Sequence, residues 1–259
     1  MAKVFLSAGH GGSDPGAVAY GMKEKDINLN ILLACNEVLV RHGVTTVLSR
    51  KADANDPVAE EVKEANASKA DIAVSFHTNA GGGDGSETFY YSRSSKGKKL
   101  AELCEKHTKA IGQNSRGIKP TTSLMFLRKT NMVAALCECA FIDNNKDNDI
   151  IDTVAEQKKF GVAYAKAILE YLGITYKEAV TTTTTTTTTT SNSFKVKFKE
   201  NMNVRVNAGT KYTLVSGELC KKGCIYTIVD TKKVGTALWG KLKSGAGWVC
   251  IANKYCTRV

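Results

Sequence analysis

Two hydrophobic periods alternate along the first two thirds of the chain. Residues 3–7 form a short apolar run that stops at Gly9. Residues 24–42 then carry Ile27, Ile31, Cys35, Val38 and Leu39 at helical spacing and end at Gly43, where a C-capping glycine belongs. The stretch 44–48 is rich in β-branched residues and reads as a strand. Asp56 and Pro57 fit the N-cap and first turn of a helix reaching Lys69. Residues 71–77, 87–91 and 133–142 read as strands, and 96–111 and 153–172 as amphipathic helices, the second closed by Gly173. Strands alternating with helices predict an α/β domain built on a mostly parallel twisted sheet with helices on both faces.

Thr181 to Thr190 are ten consecutive threonines that run into Ser191, Asn192 and Ser193 without apolar periodicity. β-branched residues favour extended backbone, so the segment predicts a tether reaching at most ~35 Å. After it the pattern changes. Short β-rich runs at 193–198, 226–229, 239–242 and 247–251 are separated by Gly, Asn and Lys, with no helical period. They predict a small all-β barrel or sandwich. The expected organisation is a domain over 1–175, a Thr-rich linker over 176–193 and a second domain over 194–259.

Composition agrees with two domains, since 259 residues exceed the usual ~100–200 of one. A hydrophobic fraction of 42% with 24% charged residues supplies a core and excludes wholesale disorder. No apolar run approaches the ~18 residues of a membrane span. The start, Met1-Ala2-Lys3-Val4-Phe5, lacks the basic region and cleavage site of a signal peptide. Synthesis in the cytoplasm, without membrane insertion, is the expectation. Charge changes the picture more. The net +11 divides into +1 for residues 1–180 and +10 for residues 191–259. A nearly neutral part joined to a small basic one suggests that the small part docks on a polyanion. Eight cysteines in a chain of this kind read as reduced, mostly buried thiols. Cys220-x3-Cys224 with Cys250-x5-Cys256 could be read as a zinc site, but neither pair has the tight C-x2-C spacing.

Only four histidines are present. His42 sits beside a helix C-terminus and His107 in a lysine-rich helix, and both read as surface residues. His10 and His77 each end a predicted strand, in Ala8-Gly9-His10-Gly11-Gly12 and Ser75-Phe76-His77-Thr78-Asn79. In open parallel sheets ligands bind beyond the carboxyl ends of strands, so two imidazoles there can reach one point. Glu24 opens the helix after the first strand and can approach the same edge. Two His and one carboxylate make the three-ligand set of an open zinc site. The same residues also fit a structural role, with Glu24 complementing its helix N-terminus. Glu138 stands alone in Leu136-Cys137-Glu138-Cys139-Ala140, where a carboxylate is costly unless paired. A general base or a salt bridge to a lysine or arginine would each explain it.

Several segments together resemble the zinc-dependent N-acetylmuramoyl-L-alanine amidases of bacteria and their phages. They are Gly9-His10-Gly11-Gly12-Ser13-Asp14-Pro15-Gly16-Ala17, Gly21-Met22-Lys23-Glu24-Lys25-Asp26-Ile27-Asn28-Leu29, Ala65-Asn66 with Ala70-Asp71, Ser75-Phe76-His77-Thr78-Asn79-Ala80 and Glu138-Cys139-Ala140-Phe141-Ile142-Asp143-Asn144. The resemblance covers residues 3 to about 172 in order and spacing. It implies zinc (Zn2+) ligands at His10, Glu24 and His77, a catalytic glutamate at Glu138 and peptidoglycan as substrate. Two departures stand out. The family usually has an arginine where this chain has Glu61, and a glycine where it has Ala140.

The C-terminal part resembles bacterial SH3-type wall-binding domains through Asn203-Val204-Arg205, Tyr226-Thr227-Ile228-Val229, Trp239-Gly240-Lys241-Leu242 and Gly247-Trp248-Val249. That resemblance makes an anionic cell-wall polymer the expected partner of the basic tail. No recognised nucleic-acid motif accompanies it. The expectation is a peptidoglycan amidase of the endolysin kind, made in the cytoplasm and acting on the wall after release. A zinc peptidase of the stem or cross-bridge peptide is the alternative enzyme. A non-catalytic wall-binding protein on a degenerate hydrolase scaffold is the alternative of another class. The sequence assigns no oligomeric state.

Overall fold

A computed structural model describes residues 2–178, 193–210, 212 and 214–259. The chain divides into two compact units, Met1–Ala179 and Val180–Val259. The threonine run lies outside the described residues.

In the first unit the elements run β1 (Lys3–Ala8), β2 (Val18–Ala19), β3 (Met22–Lys23), α1 (Glu24–Arg41), β4 (Thr45–Leu48), α2 (Val58–Ser68), β5 (Ile72–Asn79), β6 (Ser86–Tyr91), α3 (Ser95–Lys109), β7 (Ser115–Thr121), α4 (Met125–Lys129), β8 (Val133–Phe141), α5 (Asn145–Ile151) and α6 (Val154–Tyr171). Six strands form one sheet in the order β4-β1-β5-β8-β6-β7. The sheet is mixed. All neighbours pair parallel except β6, which runs antiparallel to β8. The carboxyl ends of β1, β5 and β8 therefore share an edge with the amino ends of β6 and β7.

Alternation along the strands assigns the two faces. Val4, Leu6, Ile72, Val74, Phe76, Ala135 and Cys137 face a core shared with Ile31, Leu100, Phe160 and Ile168 of α1, α3 and α6. Phe5, Ala73, Ala134 and Leu136 face a second core under Ala65 of α2 and Phe126 and Leu127 of α4. Helices thus cover both faces. A Cβ at Gly161 of α6 would stand 2.4 Å from the Ile31 carbonyl of α1, so this glycine permits the close approach of the two helices.

Local chemistry departs from the sequence reading at one helix start. α2 begins after Pro57, which takes the N-cap position without a side-chain bond. Asp56 does not cap it. Its side chain is buried and hydrogen-bonded to Ser49. The hairpin β2–β3, strand β7 and the short helices α4 and α5 are additions that periodicity alone did not reveal. α5 and α6 do carry recognisable caps, Asn144 and Thr153.

The second unit is all β, with no helix among its described residues. β9 (Phe194–Phe198), β10 (Met202–Arg205), β11 (Leu214–Cys220), β12 (Ile225–Val234), β13 (Ala237–Leu242), β14 (Trp248–Cys250) and β15 (Cys256–Arg258) form an antiparallel sheet ordered β11-β10-β14-β13-β12-β9-β15. Val196, Phe198, Val204, Ile228, Leu242 and Val249 fill its core.

Candidate active site

Phe5 and Ser7 on β1, Ala73, Ser75 and His77 on β5, and Leu136 and Glu138 on β8 point to the face covered by α2 and α4. Along that face the side chains change from apolar to polar toward the shared edge. His77 and Glu138 are register partners across β5 and β8, so they stand side by side at the sheet's end.

His10 lies just past β1 with φ at 66°, a left-handed conformation rare outside glycine. It is held there by a dense set of bonds. Asp14 Oδ2 is 2.8 Å from His10 Nδ1. The buried Arg50 guanidinium donates to the carbonyls of Ala8 (2.9 Å), Gly9 (3.4 Å) and Lys25 (2.6 Å). Lys25 Nζ donates to the Gly12 carbonyl at 2.8 Å and to Asp53 at 2.7 Å. Such over-determination is what keeps an unfavourable backbone state populated.

Glu24 begins α1 and reaches the same edge, buried to 5% exposure. Its Oε1 lies 3.2 Å from His10 Nε2 and 3.0 Å from His77 Nδ1. The Thr78 amide donates to Oε1 at 3.1 Å and the Ala17 amide to Oε2 at 2.9 Å. Burial alone would raise this carboxyl, but the two imidazoles and the amide outweigh it and hold it well below the usual carboxylate range. The bond with Glu24 in turn raises His10 to about 9, against a lowering by burial. Gly9 makes room for the second imidazole, since a Cβ there would stand 2.1 Å from His77 Cε1.

Among the described residues, His10, Glu24 and His77 are the one group of three metal-capable side chains that converges, with ligand atoms within 4.8 Å of one another. The donor set suits zinc: two imidazole nitrogens, one carboxylate oxygen, and a carboxylate behind His10 to fix its orientation. The eight cysteines form no disulfide, and among the described residues those of the second unit make no metal cluster with three or more such groups.

Glu138 carries the other distinctive feature. Its Oε2 is buried without a hydrogen-bond partner. It makes no ion pair among the described residues, so the salt-bridge explanation for this carboxylate does not hold. Burial raises it to about 7, with Glu24 and Glu87 adding to the rise and His77 opposing it. A carboxyl poised there can exchange a proton near neutral pH.

The remaining histidines are structural rather than free on the surface. His42 Nε2 accepts from the Lys177 amide at 2.8 Å and its ring stacks on Tyr176. His107 pairs with Glu170 at 2.7 Å. Glu61 is buried at 3% exposure, receives the Ser7 hydroxyl and is raised to about 7 by burial. Sequence reasoning gave no role to Asp14, Asn28, Arg50, Thr78, Glu87 or Arg116. Asp14, Asn28 and Thr78 were visible as parts of motifs, and Arg50 as a charge directly after a strand; Glu87 and Arg116 carried no signal.

Residues 4–170 match the family described as N-acetylmuramoyl-L-alanine amidase. The chain is 33% identical to the endolysin of Bacillus phage SPP1 over 98% of its own length and 97% of that protein's. It is also 33% identical to the N-acetylmuramoyl-L-alanine amidase CwlM of Bacillus licheniformis, over 68% of this chain and 74% of that one. Among solved structures, it is similar to the catalytic domain of the amidase CwlV from Bacillus (Paenibacillus) polymyxa var. colistinus. The TM-score is 0.63 at 31% identity, covering 68% of this chain and all of that one. The amidase AmiC2 of Nostoc punctiforme gives 0.63 at 31% identity, over 66% of this chain and 97% of that one.

Proposed function

The chain belongs to the N-acetylmuramoyl-L-alanine amidases, and from this we propose that it hydrolyses the amide between N-acetylmuramic acid and L-alanine of peptidoglycan, with one zinc ion held by His10, Glu24 and His77. A bound zinc supplies Lewis-acid polarisation of the scissile carbonyl and of the attacking water. Glu138 takes the proton of that water and returns it to the departing alanine nitrogen. Asp14 fixes the ring of His10, and the Ala17 and Thr78 amides hold Glu24 ionised. The observation that carries this reading is the buried, unpartnered Oε2 of Glu138 in register beside His77, a member of the His-Glu-His cluster.

The basic second unit acts in this proposal as an SH3-like anchor for an anionic wall polymer, making the whole an endolysin. Two facts support it. The similarity to the phage endolysin runs through both units. The resembling motifs also meet in space: Arg205 of β10 pairs with Trp248 of β14, and Trp239 lies buried beside Cys250.

The test is digestion of purified peptidoglycan followed by mass spectrometry. New amino groups on L-alanine are expected. Cleavage within the stem or cross-bridge peptide instead would make the chain a peptidase, and no cleavage with zinc bound would make it a wall-binding protein.

A further inference from the structure

We propose that Arg116 is a specificity residue that grips a carboxylate of the leaving stem peptide. The inference rests on the amidase reading and extends it to the side of the site beyond Glu138.

One row of side chains crosses four neighbouring strands at the functional edge. His77 pairs with Glu138 across β5 and β8, and Glu138 pairs with Glu87 across β8 and β6. On the next strand the register shifts, because Ser86 faces Ser115 while Thr88 faces Ile118. Two residues of β7, Arg116 and Gly117, therefore stand against Glu87 alone, and Gly117 adopts φ of 83° to allow it. A bulge of this kind re-aims the side chain it carries.

The aim of Arg116 is well fixed. Its Nε donates to Glu87 Oε2 at 2.9 Å, and its guanidinium lies 5.0 Å from the centre of the Phe141 ring. Glu87 is itself anchored by Asn79 Nδ2 at 3.0 Å. Both terminal nitrogens of Arg116 make no hydrogen bond with the protein among the described residues, and the side chain is 42% exposed. A guanidinium oriented through Nε and Phe141 presents its free fork in the geometry that carboxylates bind bidentately. Lys119, 4.0 Å from Glu87, leaves the patch with one cation more than the carboxylate neutralises.

Direction follows from the proton path. Glu138 hands its proton to the amine nitrogen, so the departing peptide lies on the Glu138 side and continues away from the His-Glu-His cluster. That course leads over Glu87 to Arg116. Strands ~4.8 Å apart put Arg116 ~10 Å from Glu138 along the sheet. An extended peptide rises ~3.3 Å per residue, so the gripped carboxylate belongs to the second or third residue of the leaving peptide.

The experiment uses the full-length zinc-loaded enzyme and two synthetic N-acetylmuramoyl tripeptides. Both begin with L-alanine; one carries free carboxylates on its second and third residues, the other their amides. The wild type should show a KM at least about tenfold lower for the acid, the expected size for one charge-assisted pair. Arg116→Ala should bring the KM ratio to within about twofold of unity, and Arg116→Lys should keep only part of it, lacking the fork. A ratio that survives in Arg116→Ala, even with kcat lowered on both substrates, makes Arg116 structural and overturns the proposal. So does a wild type without preference. If the wild type cleaves neither compound, the amidase reading fails separately. Calorimetry of the free acid tripeptide against its amide, with wild type and Arg116→Ala, then decides the Arg116 assignment by the same contrast.

Discussion

The two units spend their charged residues in opposite ways. Every buried polar or charged side chain among the described residues lies in the first unit, between Ser7 and Gln157. That unit is nearly neutral overall, whereas the second holds a net +10 over residues 191–259 without burying a single charge among its described residues. The difference is instructive. Buried charges need fixed partners and give sharp, short-range chemistry. Surface charges of one sign act through a longer, salt-dependent field. The first arrangement suits a reacting centre and the second suits adhesion to a polymer.

The most severe way to break the comparison is to remove one buried group. His77→Ala should lower zinc from about one per chain to near zero and abolish turnover, read by metal analysis and by wall digestion. Glu138→Gln should keep zinc and fold yet lose on the order of 10²–10⁴ in kcat, the usual worth of a general acid–base group. Near-normal turnover in Glu138→Gln would make this carboxylate structural.

A second contrast separates the units themselves. A chain ending before Thr181 should keep zinc and cleave soluble fragments but lyse intact cells poorly, because a tether raises local concentration without new active-site contacts. Residues 194–259 alone should sediment with walls at low salt and release as ionic strength rises and the Debye length falls below ~8 Å. Salt-independent binding, or unchanged lysis after truncation, removes the electrostatic anchor from the picture.

The smallest effect sharpens the comparison within stability. Glu61 is held at about 7 by burial, above its ordinary value. Above that pH the folded state carries an ionised, desolvated carboxyl; below the unfolded pKa of ~4.3 both states are neutral and the penalty vanishes. Glu61→Gln should thus stabilise the first unit at pH 8 by on the order of 2 kcal/mol, with the gain fading toward pH 4. Asp230→Asn, at an exposed position of the second unit, should show no such trend. Denaturant unfolding across pH measures both, and a pH-independent gain for Glu61→Gln would mean that this carboxyl is not desolvated.

Much of this was legible in the chain. Ile27, Ile31, Cys35, Val38 and Leu39 announced α1 because one stripe of that helix must be buried, and β1, β5 and β8 read as apolar runs because both their faces are covered. His10, Glu24, His77 and Glu138 could be named because each is a polar residue at the end of, or inside, a strongly apolar or helical pattern. β7 was not legible. Arg116, Lys119 and Pro120 break its alternation, and its pairing with β6 is long-range.

The sequence by itself determined the alternation of strands and helices, the place where the pattern turns all β, the asymmetry of charge and the residue types available for metal chemistry. These depend on local periodicity and counting, which survive without coordinates. The tertiary structure alone decided that β6 and β7 run against the other strands, that Glu24 Oε1 sits between two imidazoles, that Glu138 Oε2 is left without a partner and that Arg116 offers a free fork. Each of those depends on groups far apart in the chain meeting at one sheet edge, and desolvation and bond geometry there are properties of the packed neighbourhood, not of any segment.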